Sequence, residues 1–132
     1  MRILVVDDTS LALNRLTNMI NDLGFQSIDQ ARDGANAFKQ ITEFRRPGYY
    51  DVILLDINMP KMNGLEFLEK IKDHPAKGDA RVVMTTAERE KTLIAKALQL
   101  GASGYITKPV TSEDLQEVLT KIQKAIDAEK PA

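Results

Sequence analysis

The sequence predicts an α/β fold, a doubly wound parallel sheet of five strands with five helices, and three observations predict it. Short apolar runs recur at residues 2–6, 52–55 and 81–86, and none alternates apolar with polar. Such runs are too brief for independent helices and read as strands covered on both faces, the habit of parallel sheets. Segments of helical period separate the strands, joined by short connections, so helices must wrap both faces of the sheet through right-handed crossovers. The run at 52–55 stops abruptly on Asp56, and Pro60 and Gly64 mark a loop before a helical pattern opens at Leu65. That places a carboxylate at the carboxyl end of a buried parallel strand, where open α/β sheets keep their ligands.

The elements follow in order. Residues 2–6 form the first strand and end on Asp7-Asp8; Ser10 is the expected cap of a helix whose inward stripe is Ala12, Leu16, Met19, Ile20 and Leu23, closed by Gly24. Residues 25–31 make a weaker, more polar edge strand. Asp33-Gly34 turns into a short helix with Phe38 and Ile41 inward, and residues 43–50 form a basic, solvated loop broken by Pro47-Gly48. After the central strand, a helix over 64–72 carries Leu65, Leu68 and Ile71 inward and stops before His74-Pro75. Residues 76–80 are a polar connection to the fourth strand. The helix over 89–100 turns Ile94, Ala97 and Leu98 inward and closes at Gly101. Residues 103–107 are the fifth strand. Thr111 caps the last helix with Asp114 as its box partner, and Leu115, Val118, Leu119, Ile122 and Ile126 form its stripe.

With 132 residues the chain is one domain with a normal core. A net charge of −1 gives no electrostatic reason to expect nucleic acid or an anionic membrane, and the Arg45-Arg46 pair is too small to argue for either. The absence of cysteine excludes a disulfide framework, thiol chemistry and zinc-thiolate sites. The first apolar run is too short for a signal peptide or a membrane span, so a soluble, cytoplasmic protein is expected. Met1 directly before the first strand suggests a natural amino terminus. The single histidine, His74, is expected at the surface.

The chemistry gathers at the strand ends. In a parallel sheet one rim collects Asp7 and Asp8 from the first strand, Asp56 from the third, Thr86 from the fourth and Lys108 from the fifth. Two carboxylates about 4 Å apart repel by roughly 4 kcal/mol at an effective dielectric near 20. Three on one rim need a captured proton or a cation, and an all-oxygen set favours Mg²⁺. An ammonium and a hydroxyl on the same rim add a place for an incoming anion. This is the equipment of phosphoryl transfer to a carboxylate, which leaves an acyl phosphate. Asp7 and Asp8 compete for the metal while Asp56 stands alone at the centre, so Asp56 is the expected nucleophile. Taken singly, each residue has a plainer reading: a turn for Asp7-Asp8, a helix entry for Thr86, a surface turn for Lys108-Pro109, a helix cap for 101–104. Their joint occurrence at the ends of different strands is what the plainer readings explain poorly.

The motifs Val5-Val6-Asp7-Asp8, Leu54-Leu55-Asp56-Ile57-Asn58-Met59-Pro60, Asn63-Gly64, Thr86-Ala87-Glu88, Gly101-Ala102-Ser103-Gly104-Tyr105 and Thr107-Lys108-Pro109 together resemble the response-regulator receiver domains of two-component signalling, and within them the single-domain chemotaxis CheY type. The resemblance covers residues 2–128, leaving a frayed tail at 129–132, and implies the strand order 2-1-3-4-5 of flavodoxin-like folds. It implies that Asp56 accepts phosphate from a phosphohistidine on a sensor histidine kinase. By the same resemblance Asp8 and Asp56 would bind Mg²⁺ directly, Asp7 through water, and the carbonyl of Asn58 would complete the protein ligands. Lys108 would contact the phosphoryl group, and Thr86 would swing towards it. Tyr105 would turn inward, reshaping the face of the fourth helix, fifth strand and fifth helix for an unidentified downstream protein. Asn58 and Glu88 would tune dephosphorylation, and the bond before Pro109 would be cis.

The resemblance further implies a monomer that catalyses only its own phosphorylation and dephosphorylation, with no nucleic acid and no membrane among its partners. Alternative readings are a receiver cut from a longer regulator, and a haloacid-dehalogenase-like phosphohydrolase with an aspartyl nucleophile. The Asp-x-Asp signature of the latter is absent here. A flavodoxin-like nucleotide binder is disfavoured because Asp7 and Asp8 would repel a phosphate in the first loop.

Overall fold

The computed structural model describes residues 1–87 and 91–129. Five strands, β1 (Arg2–Val6), β2 (Ser27–Ala31), β3 (Val52–Leu55), β4 (Arg81–Thr86) and β5 (Gly104–Thr107), pair in parallel in the order β2-β1-β3-β4-β5. The five helices are α1 (Ser10–Asp22), α2 (Gly34–Lys39), α3 (Gly64–Ile71), α4 (Lys91–Gln99) and α5 (Ser112–Glu129). Every residue of β3 is buried, which is why that run carries no polar position. Its alternate residues serve two cores. Ile53 and Leu55 join Leu4, Val6, Val82 and Met84 against Ala37, Phe67, Leu68, Ile71 and Ala97 of α2, α3 and α4. Val52 and Leu54 join Ile3, Val5, Val83 and Ile106 against Leu13, Leu16, Ile20, Leu115, Leu119 and Ile122 of α1 and α5.

Several helix details differ from the sequence reading. Thr9, not Ser10, caps α1: its backbone is extended and its hydroxyl accepts the Ala12 N–H at 3.2 Å. The buried stripe is Leu13, Leu16 and Ile20, a spacing of three and four that leaves Ala12 at its margin. In α3 the stripe is Phe67, Leu68 and Ile71 with Leu65 only partly covered, and Asn63 with Glu66 forms a capping box. Leu98 of α4 is 44% exposed, since adjacent helical residues point about 100° apart and Ala97 is the one turned inward. Gly24 and Gly101 close their helices at φ +100° and +104°, the left-handed conformation expected of such ends. The last helix keeps its Thr111–Asp114 box, but Glu129 is not frayed: it ends α5 and pairs with Arg81 at 2.6 Å. Ala76 and Ala80, in the connection read as polar, are buried.

Two further corrections concern the rim away from the strand ends. His74 is half-buried rather than a free surface residue. Its ring stands edge-on to Phe38 at 5.6 Å, and its Nδ1 accepts the Ala76 N–H at 3.1 Å, capping the 3-10 turn Pro75–Lys77. The stretch 43–50, read as a solvated loop, is exposed over 43–47, but it opens on a π-helical turn, Gln40–Phe44, that continues α2, and it is covered at 48–50. Tyr50 is 4% exposed and donates its hydroxyl to Asp29 at 2.6 Å.

One buried group is poorly served. Thr85 is wholly buried in β4, and its hydroxyl is without a hydrogen-bond partner among the described residues. An unpaired buried hydroxyl costs free energy that an isosteric methyl does not. Thr85→Val should therefore raise stability by about 1 kcal/mol, read as a higher urea midpoint at unchanged slope. A lower midpoint would mean that the hydroxyl is satisfied in solution.

Candidate phosphoacceptor and metal site

Because the sheet is parallel, β1, β3 and β5 all end on one edge. There the chain reverses direction in tight loops that aim their first polar residues at one another. Asp7 and Asp56 are buried, at 1% and 5% exposure, while Asp8 beside them is open to solvent. The three carboxylates each offer an oxygen within 4.8 Å of the others. The set is all oxygen and partly open, with three carboxylates to a single neighbouring ammonium, so it fits a hard divalent ion and not a soft one.

Lys108 reaches into this group from the end of β5. Its Nζ lies 2.7 Å from Asp7 Oδ2 and 3.1 Å from Asp56 Oδ2, so one ammonium bridges two buried carboxylates. The bridge is held from both sides. The Lys108 N–H donates to the Thr86 carbonyl at 2.9 Å, locking the ends of β4 and β5 together. Arg15 of α1 donates from Nη2 to the Val110 carbonyl at 3.0 Å, pinning the loop beyond. The Lys108–Pro109 bond is cis. Asp7 is fixed further by Thr9, which donates its N–H and hydroxyl to Asp7 Oδ1 at 3.1 and 3.3 Å.

The electrostatics follow from this packing. Burial pushes the Asp56 carboxyl above its usual range; Lys108 opposes the shift through charge and hydrogen bond, and Asp7 adds to it. Burial would lower the Lys108 pKa, but Asp7 and Asp56 outweigh it and the net shift is upward. A buried carboxylate held against a lysine and a second carboxylate, with its pKa raised by burial, marks Asp56 as a functional-site candidate.

The loop after Asp56 is seated by close contacts. The Asn58 N–H donates to Asp56 Oδ1 at 3.4 Å, and the loop's own Ile57 and Met59 are buried. Lys61 holds a left-handed conformation at φ 67°. Gly64 sits against the backbone of Asp56 and Ile57 with no room for a Cβ, and Gly34 is packed as tightly against Met62. Sequence reasoning passed over both glycines as loop and turn markers. Thr86 is wholly buried at the end of β4, whereas the Tyr105 side chain on β5 is 49% exposed. Glu88 lies outside the described residues.

The geometry has clear relatives. Residues 3–120 match the family model of the response regulator receiver domain. The chain belongs to that family. It is 38% identical over 122 residues to chemotaxis protein CheY-3 of Vibrio cholerae serotype O1, covering 92% of this chain and 91% of that one. It is 34% identical over 127 residues to chemotaxis protein CheY of Pseudomonas aeruginosa, covering 96% and 99%. Among solved structures, the CheY-like receiver domain protein of Methanospirillum hungatei JF-1 superposes with a TM-score of 0.84 at 27% identity over 98% of both chains. The receiver family is one of signalling proteins rather than enzymes, and its acidic pocket is the Asp7, Asp8, Asp56 cluster here.

Proposed function

We propose that this receiver takes a phosphoryl group from the phosphohistidine of a sensor histidine kinase onto Asp56, and that the phosphorylated form presents an altered face to a downstream protein. The observation that carries the reading is the Lys108 bridge to Asp7 and Asp56 within a cluster of three carboxylates. An Asp56 oxygen attacks phosphorus, the new O–P bond replaces the P–N bond to imidazole, and the electron pair leaves with the imidazole. Lys108 then moves its ammonium from the carboxylate to a phosphoryl oxygen, a short step because it already stands 3.1 Å from Asp56 Oδ2. Asp7, Asp8, Asp56 and the Asn58 carbonyl would hold Mg²⁺. When bound, the ion neutralises charge shared by the carboxylates and the incoming phosphoryl oxygens.

Thr86 is assigned the hydroxyl that follows the phosphoryl group, and Tyr105 the ring that turns from its exposed position into the space this leaves. The affected face is α4, β5 and α5. Asn58 and Glu88 are assigned the rate at which water removes the phosphate. The chemotaxis proteins of similar sequence support a stand-alone chemotaxis role, with residues 1–128 as the receiver domain. The reading places the protein in the cytoplasm as a monomer; no described helix is long and apolar enough to cross a membrane.

Incubation with acetyl phosphate and Mg²⁺ tests the reading. Stoichiometric, base-labile phosphate on Asp56 is expected; multiple turnover of varied phosphate esters would instead make the protein a hydrolase. Lys108→Ala separates chemistry from switching. Loss of one electrostatic stabiliser should slow uptake by roughly a hundredfold, and the phosphate that does enter should leave the Tyr105 ring resonances where they were. A normal Tyr105 shift in that variant would remove Lys108 from the switch.

A further inference from the structure

The opposite end of the sheet carries a second constructed cluster. Tyr49, just before β3, has three guanidinium groups around its ring: the Cζ atoms of Arg45, Arg2 and Arg46 lie 4.6, 4.8 and 5.7 Å from its centroid. The ring is held by Tyr50, edge-on at 5.0 Å and 90°, and Tyr50 is fixed in turn by Asp29. Asp29 also takes two hydrogen bonds from Arg45, at 3.1 Å each, so that guanidinium is neutralised. The other two are not. Among the described residues the Arg46 side chain makes one hydrogen bond, at 3.4 Å to the neighbouring Pro47 carbonyl. Asp51 accepts the backbone N–H of Arg2 rather than its side chain, and neither Arg2 nor Arg46 pairs with a carboxylate among the described residues.

Positive groups that repel one another gather on a ring face only where the ring and its support hold them, and this arrangement leaves two planar forks pre-set for carboxylates. Arg45 already shows that preference on Asp29. An apolar anchor stands next in the chain. Phe44 ends the π-helical turn Gln40–Phe44 with its side chain 63% exposed, and π-helical turns of this kind are frequent at functional positions. Glu43 is exposed on the same turn.

We propose that Arg2, Arg46, Tyr49 and Phe44 form a docking site for a segment of a partner protein that presents carboxylates beside an apolar side chain. Charge complementarity selects that partner, since two unpaired guanidiniums meet two carboxylates and the exposed ring meets the apolar group. The site lies at the amino ends of β1 and β3, five residues of strand and roughly 16 Å from the phosphoacceptor rim. It is therefore open whether or not Asp56 carries phosphate, and it acts as a tether rather than as part of the switch.

The test uses the full chain, ¹⁵N-labelled, titrated with a blocked six-residue peptide alternating glutamate and leucine. Its glutamine counterpart, phosphatidylserine vesicles and a DNA duplex serve as competing probes. Saturable shifts are expected at the Arg2 and Arg46 Nε–H groups and at the Tyr49 and Phe44 rings, weakening with salt and unchanged by prior phosphorylation with acetyl phosphate. Arg46→Gln, which removes a long contact to Pro47 and one guanidinium from beside the Tyr49 ring, should bind roughly tenfold more weakly. The proposal is overturned by equal binding of the glutamine peptide, by shifts confined to other surfaces, by affinity that changes with phosphorylation, or by tighter binding to vesicles or DNA than to the peptide.

Discussion

Asp56→Asn should take up no phosphate from acetyl phosphate, and in metal-free buffer at neutral pH it should be more stable than the parent. The first effect is the removal of the nucleophile at constant size. The second follows from the raised Asp56 pKa, caused first by burial, opposed by Lys108 and reinforced by Asp7. A carboxyl whose pKa is higher in the folded state contributes stability that is full below its unfolded pKa and is lost as pH rises through the folded value. As pH rises through the folded value the parent loses this contribution, while the neutral amide has nothing to lose. The advantage of the variant should shrink as pH falls towards the ordinary carboxylate value of 3.8, measured by urea denaturation across that range. Mg²⁺ should stabilise the parent more than the variant. Quantitative labelling of Asp56→Asn would place the acceptor elsewhere, and a variant less stable than the parent at neutral pH would mean that Lys108 outweighs burial.

Gly64→Ala should both destabilise the protein and slow phosphorylation. A Cβ on Gly64 would collide with the Asp56 carbonyl oxygen and come within 2.9 Å of Ile57 Cα and 3.1 Å of the Asp56 carbonyl carbon. All three are backbone atoms, so no rotamer change relieves the overlap and the loop itself must move. Overpacking of this kind costs about 1–3 kcal/mol. The displaced backbone is the one that carries Asp56, and a shift approaching 1 Å would reduce the rate of phosphoryl uptake by roughly a hundredfold. Gly104→Ala is the control, because a Cβ there meets nothing within 4 Å, and it should leave uptake unchanged. If Gly64→Ala matched that control in both midpoint and rate, the helix entry would not be what seats the acceptor.

The alternation of unbroken apolar strands with amphipathic helices was enough to read a two-faced parallel sheet, because each strand is buried on both sides and has no polar position to spare. Acids at the ends of β1 and β3 and a lysine at the end of β5 were equally legible, since parallel pairing brings every carboxyl end to one edge. The order of the strands came from resemblance and not from periodicity, which is blind to neighbours. Helix faces were read to within a residue and went astray where two apolar residues adjoin, as at Ala12-Leu13 and Ala97-Leu98. Adjacent positions differ by about 100° on a helix, and only packing chooses between them.

What the chain alone determined was the layered architecture and which ionisable groups share a rim, both consequences of the side-chain period in strands and helices. What only the tertiary structure decided was how those groups pair. Lys108 spans Asp7 and Asp56 together, Gly64 and Gly34 pack closely on the loop after Asp56, and Arg2 joins Arg45 and Arg46 on Tyr49. Such contacts depend on separations of a few ångströms between residues up to about a hundred positions apart, and local pattern carries no information at that range.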